Sequence, residues 1–400
     1  MTTQIFSALT AVGLLCYGLQ LWSIRAAAQK QENNEGIQTD YTPPISILKP
    51  LKGLDDNLFD NLESFCHLDY PRYELIFALQ DMNDQACKVA QKVKNKYPGK
   101  DIRIVAKRCN AGLNPKVNNL MAAYDAAKYE YILISDSNVQ AGRQYLKSTV
   151  SPMNDPNVGL VSNLIEGVGG RTAGSVLENL HMNSFIMGSV CFLDRFLKLP
   201  CVVGKSMLMR KKDLEAIGGL HGVKDVLAED YLLGKKMGES GKRVVLSPYR
   251  IQNVNHYWGI KKFLNRHTRW GKLRWKIGGA KYVSELAANP VFTSAMPLFI
   301  LGPVRSAIML ALFTSMLKIA GDLYIGKETG TGMHPLSYLL VPLKDILIGL
   351  IWFVPIFSQG VAWRGNKYII GKDSVLSPYT VSRSLAWKYR IVNSIRERFA

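Results

Sequence analysis

Two acids stand side by side in LAEDYLLGKK, residues 227–236, where Glu229 and Asp230 open a segment with helical periodicity. Other carboxylates sit where apolar runs stop. YELIFALQ (73–80) gives way to Asp81-Met82-Asn83-Asp84, and YEYILIS (129–135) gives way to Asp136-Ser137-Asn138. Asp in such places often does no more than cap a helix or close a turn. Two acid-bearing strand ends in one sheet, joined by Glu229-Asp230, point instead to a site for a hard cation or a nucleotide, because oxygen ligands suit Mg²⁺ and Mn²⁺. A carboxylate held ionised beside such a site can also take a proton from a hydroxyl. The competing reading of the adjacent pair is electrostatic, since both acids favour a helix N-terminus through its dipole.

For the acids to meet, the elements around them must form a sheet. ISILK (45–49), residues 73–80, DIRIVA (101–106) and residues 129–135 read as strands. DNLFDNLESFCHL (56–68), DQACKVAQKVKNKY (84–97) and PKVNNLMAAYDAA (115–127) read as helices, the last with Pro in its first turn. The alternation predicts an α/β fold, with a mostly parallel sheet covered by helices. Ligands of such sheets bind beyond the carboxyl ends of the strands, where these acids lie. Other nucleotide motifs fail. Gly204-Lys205-Ser206 resembles the end of a P-loop, but Leu199 stands where that pattern needs Gly; in GVGGRTAG (167–174), Thr172 replaces the last Gly of GxGxxG.

Three apolar zones flank this middle part. Residues 5–24 carry no charge before Arg25, and the start MTTQ is neutral, so the run reads as an uncleaved membrane anchor rather than a secretory signal. A second zone fills 290–325, broken by Gly302-Pro303, and reads as a short re-entrant or interfacial piece followed by one crossing. A third fills 338–360. The basic residues after 363, with Arg25 and Lys30, place the tail and the middle part on the cytoplasmic side. The formal net charge of +19 fits anionic lipid and an anionic substrate. No nucleic-acid-binding signature accompanies it. The six cysteines form no CxxC and the six histidines no HExxH, which argues against structural zinc.

The ordered motifs ISILKPLKG (45–53), NLESFCHLDYPRYEL (61–75), LQDMND (79–84), LNPKVNNLM (113–121), ISDSNV (134–139), GKSMLMR (204–210), AEDY (228–231) and RHTRW (266–270) resemble the ceramide glucosyltransferase family. That family is a membrane branch of the inverting glycosyltransferases with a GT-A fold. Each motif is weak alone; the set in this order, from about Ile45 to Trp270, is specific. The family pattern of three Asp and (Q/R)xxRW falls on Asp84, Asp136, Asp230 and Arg266–Trp270. The resemblance implies a UDP-sugar donor, a ceramide-like membrane lipid as acceptor, and Mg²⁺ or Mn²⁺ as cofactor. Asp136, helped by Asn138, would hold the cation. Asp81, Asp84 and Lys116 would contact the donor, Arg266 and Arg269 would reach its diphosphate, and Trp270 would pack the donor site beneath. Asp230 would be the general base, and Glu229 would orient it or touch the sugar hydroxyls. RHTRW also reads as a basic amphipathic helix lying on lipid, a role compatible with the first.

The implied organisation is an anchor over 1–30, a cytoplasmic GT-A catalytic domain over 31–289, a membrane-embedded region over 290–362 and a basic cytoplasmic tail over 363–400. The protein is then a multi-pass integral membrane protein, of a bacterial inner membrane or the Golgi. SVLENLHMNSFIMGSVCFLDRFLKLP (175–200) reads either as the lining of a lipid entry or as a core helix. Hopanoid and diacylglycerol glycosyltransferases are alternatives of the same class. A non-catalytic membrane scaffold is the alternative outside it, and the intact acids argue against that.

Overall fold

The computed structural model describes residues 2–34, 40–199, 201–358, 360–363 and 366–379. Eight strands build the central sheet: β1 (Ile45–Pro50), β2 (Tyr73–Leu79), β3 (Ile102–Ala106), β4 (Tyr131–Ser135), β5 (Val139–Gln140), β6 (Val158–Val168), β7 (Ser206–Arg210) and β8 (Arg243–Val254). Their order is β3-β2-β1-β4-β7-β6-β8-β5. Four of the seven pairings are parallel; β7 runs antiparallel between β4 and β6, and β5 antiparallel to β8. The expected strands and helices between 45 and 135 are present at nearly the expected bounds.

The inner strands are apolar on both faces because helices cover both. Along β2, Leu75, Phe77 and Leu79 join one core, and Ile76 and Ala78 join the other. Alternation of side chains across a strand divides them this way. Phe65 anchors the first core, packed edge-on to Tyr145 with ring centroids 5.9 Å apart. The helix Gln85–Lys96 starts at Asp84, whose side chain accepts from Ala86 N, and the helix Pro115–Ala126 starts at Asn114, which accepts from Lys116 N and Val117 N.

Among the described residues, three helices are long and apolar enough to cross a membrane: Gln4–Asn33, Arg305–Thr329 and Pro335–Phe357. The awkward zone after 290 divides at Gly302, whose φ of 77° and neighbouring Pro303 end the short helix Pro290–Leu301 before the long one begins. The first and second long helices run side by side in the same direction: Tyr17 donates to Asp322 at 2.7 Å, and Arg25 meets Glu328 at 3.5 Å. The first helix also docks on the domain built around the central sheet, where Ile24 packs with Leu164, Met187 and Cys191. Both ends of the third segment touch that domain, Tyr338 at Leu180 and Ser358 at Lys272 Nζ, 2.9 Å away.

Beyond it the chain forms a second sheet that the sequence reading does not anticipate: β9 (Gly360–Trp363), β10 (Asn366–Ile370) and β11 (Leu376–Pro378), in the order β11-β10-β9. The tail beyond 379, with Arg383, Lys388, Arg390, Arg396 and Arg398, lies outside the described residues, as do Arg364 and residues 35–39.

Phe65 is fully buried, and Lys49 Nζ lies 3.6 Å from its ring centroid. Phe65→Ala is expected to lower the stability of the detergent-solubilised protein by about 3–5 kcal/mol, the usual cost of a large-to-small aromatic change in a core. Chemical denaturation measures it.

Candidate active site

A cleft of about 960 Å³ opens at the carboxyl ends of β1 and β4. Eight of the ten residues singled out from the sequence line it: Lys116, Asp136, Asn138, Glu229, Asp230, Arg266, Arg269 and Trp270. Asp136 ends β4, and the acid pair forms the first turn of the helix Glu229–Glu239. The arginines come from the helix Ile260–Gly278.

Lys116 joins these parts. Its ammonium lies 2.9 Å from Asp136 Oδ1 and 2.9 Å from Glu229 Oε1, and it donates to Gly204 O at 2.7 Å. Burial opposes its charge, but Asp136 and Glu229 hold its pKa above the usual lysine range. Asn114 Nδ2 donates to Glu229 Oε2 at 3.2 Å, so Glu229 is held from both sides. Asp230 accepts from Gly204 N at 2.9 Å and from Tyr231 N at 2.8 Å. Burial and the charge of Glu229 push its carboxyl up to about 6.

The other acids of the strand ends stay apart. Asp84 caps a helix and accepts from Gly53 N at 2.9 Å, and exposed Asp81 accepts from Asn83 N at 2.9 Å. Neither lines the cleft; the turn-and-cap role that Asp often takes describes both. Asp55 lines it instead, bonded to Ser137.

Several site groups escape the sequence reading. Lys205 donates to Asn138 Oδ1 at 2.8 Å and lies 3.4 Å from Asp136 Oδ2. Burial, offset in part by Asp136, brings its ammonium down to about 8. Lys49, fully buried at the end of β1, donates to the Asp136 carbonyl at 2.9 Å, and burial holds its pKa well below the lysine range. Glu178, wholly buried in the apolar stretch 175–200, pairs with Arg266 at 3.0 Å and with His267 Nε2 at 2.8 Å. Burial works against its charge, yet Arg266 and His267 keep its carboxyl below the usual range, while burial, opposed by Glu178, lowers the His267 imidazole. Arg266 also stacks on Trp270 and Trp258, at 4.3 and 5.0 Å from their centroids. A lone charged residue in an apolar run is the sequence signal for Lys49 and for Glu178.

The arginine helix is therefore a packed wall rather than one lying free on lipid. His267 and Lys272 are buried, and Lys272 Nζ donates to Gly360 O at 2.6 Å.

Among the described residues, no group of three or more His, Cys, Asp or Glu is placed to hold a metal ion. Asp136 and Asn138 nevertheless present two oxygens to one ammonium, that of Lys205, which marks a place where a cation is welcome. Mg²⁺ commonly takes one or two carboxylates, with substrate phosphates and water filling the other positions, and this donor set fits that habit.

The glycosyl transferase family 21 profile matches residues 5–376 of this chain. The chain belongs to glycosyl transferase family 21. It is a membrane-associated glycosyltransferase. It is 31% identical over 346 residues to ceramide glucosyltransferase 3 of Caenorhabditis elegans, covering 84% of this chain and 74% of that one. It is 30% identical over 226 residues to a ceramide glucosyltransferase of Komagataella phaffii, covering 49% and 44%. Among solved structures, the mannosyltransferase PcManGT from Pyrobaculum calidifontis in complex with GDP-Man and Mn²⁺ is similar at a TM-score of 0.44 and 16% identity, over 86% of this chain and 99% of that one.

Gly204 carries the peptide N–H that holds Asp230, and a Cβ added there would stand 2.7 Å from Asp230 Oδ2 and 3.1 Å from its Cβ. Gly204→Ala is expected to displace that carboxylate and lower turnover at least tenfold, with folding temperature little changed. Steady-state kinetics beside thermal unfolding checks it.

Proposed function

We propose that this family 21 enzyme moves a sugar, glucose first among the candidates, from a UDP-sugar to the hydroxyl of a ceramide-like membrane lipid, with inversion at the anomeric carbon. One observation carries the reading. The cleft gathers Lys116, Lys205, Arg266 and Arg269 near Asp230, and its Val202-Val203 wall continues a chain segment that begins at exposed Phe196, Leu197 and Leu199. Charge for a diphosphate and an apolar approach for a lipid thus meet at one acid.

In this reading Arg266 and Arg269 bind diphosphate oxygens through planar guanidinium forks. Glu178 and the two Trp rings fix the Arg266 fork before the donor arrives, so little order is lost on binding. A divalent cation bound through Asp136 and Asn138 would neutralise charge developing on the departing UDP. Lys205, which now pairs with both residues, would be released toward the donor's charge were a cation held there. Asp230 takes the proton of the acceptor hydroxyl as that oxygen attacks the anomeric carbon from the face opposite UDP. Glu229, tied to Lys116 and Asn114, holds the first helical turn and so aims Asp230. The acceptor approaches past Ile186, which follows Met182–Phe185 in a single π-helical turn and lines the cleft. In this reading the catalytic domain lies on the cytoplasmic side, which the basic residues Arg25 and Lys30 support.

Purified enzyme in detergent, offered a panel of UDP-sugars with ceramide, diacylglycerol and a hopanoid, is expected to glucosylate ceramide best by mass spectrometry. Preference for either other lipid would reassign the acceptor. Asp230→Asn keeps the shape but accepts no proton, so turnover should fall about 10²–10⁴-fold while UDP-sugar affinity holds. In the wild type the base acts only when ionised. Activity should therefore rise with pH to a plateau above about 6, the value to which the Asp230 carboxyl is pushed. A near-normal Asp230→Asn enzyme, or a rate flat through that region, would remove Asp230 from the base role. Asp136→Ala should abolish transfer and also Mn²⁺ binding, read by electron paramagnetic resonance in the presence of UDP; retained binding would place the cation elsewhere.

A further inference from the structure

The acid pair is reached through residues 225–228, and this short run has an unusual support. Its helix begins at Ala228, which has no side-chain cap. Helix N-termini favour Ser, Thr, Asp or Asn there, because an oxygen must satisfy orphan N–H groups. Here help comes from 146 residues further along the chain. Ser374 Oγ accepts from Ala228 N at 3.2 Å, and Ser374 O accepts from Leu227 N at 2.9 Å. Leu376 N donates to Asp225 O at 2.7 Å, and Val226 and Val375 form an antiparallel bridge. The run 225–228 is therefore paired to the strand that closes the small sheet.

Ser374 is fully buried, with φ of 60°, and Asp373 before it has φ of 51°. Left-handed backbone is uncommon for residues other than Gly and persists only where surrounding contacts impose it. Those contacts are the two bonds to the acid run and an apolar seal in which Leu227 packs with Val361, Tyr368, Ile370 and Leu376. The same sheet reaches the cleft itself, since Ala362 and Trp363 of β9 line it.

We infer that Ser374 is a positioning residue for transfer: with β11 it sets the register of residues 225–228, so that Asp230 faces the acceptor. The chain segment that follows the membrane zone thereby completes the active site, and a catalytic domain without it holds the donor groups but not an aimed base. On the donor side Asp136 and Lys205 are held through β4 and Asn138, apart from this run, whereas Lys116 is shared between the two, 2.9 Å from Asp136 and 2.9 Å from Glu229.

This inference rests on Asp230 being the base. The test is Ser374→Gly in the full-length protein, which removes the hydroxyl and suits the left-handed backbone, so folding is not at stake. Expected is a tenfold or greater fall in kcat, with UDP-sugar affinity and thermal stability near wild type. Ser374→Ala, run alongside, should lose kcat similarly. Unchanged kcat in both variants overturns the inference. So does a parallel loss of donor affinity, which would make the sheet a general support. An inactive Asp230→Asn beside a fully active Ser374→Gly refutes the positioning role alone, whereas an active Asp230→Asn refutes the base reading first.

Discussion

Lys116 puts one ammonium 2.9 Å from Asp136 and 2.9 Å from Glu229, and the geometry of the cleft hangs on that bridge. Three carboxylates from two distant parts of the chain converge there, and like charges at close range disfavour ionisation. A single cation between two of them leaves the third, Asp230, with the repulsion of Glu229 and a partly dry surrounding. Its raised carboxyl follows from that unequal division. The lysine is also placed by backbone: it sits in the first turn of a helix whose Pro115 and Asn114 fix where the turn begins. A capping preference in the sequence thus ends as the charge balance of the site.

The α/β order and the carboxylates at the ligand edge were legible because they rest on local rules. Buried parallel strands show as apolar runs, and Asp136 shows as the polar residue that ends one. Local rules misjudge Asp84 for the same reason. A strand-end Asp that caps the next helix and one that faces the cleft look alike in sequence, and only the distance to Gly53 N separates them. Lys205 was legible as part of a motif but not as the group paired to Asp136 and Asn138, since that pairing joins β7 to the end of β4. Glu178 and Lys49 were visible only as charges out of place in apolar runs. Ser374 gave no signal at all. Its role depends on a bridge across the whole membrane zone, and no period or spacing records such a contact.

Preorganisation on the donor side has a common physical form. Arg266 is fixed by a buried carboxylate and two aromatic faces. Lys49 and Lys205 are held around Asp136 by short bonds. Each cation is partly stripped of water, which strengthens its attraction for phosphate, and each is kept in place by a partner that would be costly to leave alone. Glu178 meets Arg266 at 3.0 Å and His267 Nε2 at 2.8 Å, so one buried carboxylate locks the arginine helix at two points.

The apolar zones then do more than anchor the enzyme. The first long helix and the helix Arg305–Thr329 run side by side, and the first of them packs Ile24 directly against the catalytic core. The third segment returns to that core at Lys272, on the helix that carries both arginines, and from there the chain enters the small sheet that pairs with residues 225–228. The wall that carries both arginines and the run that leads to Asp230 are therefore tied to the same returning segment. A lipid hydroxyl has to arrive from the apolar side, and a nucleotide sugar from water. An enzyme whose two halves of the cleft are joined through its membrane segment holds those two approaches in fixed relation without a separate domain to align them.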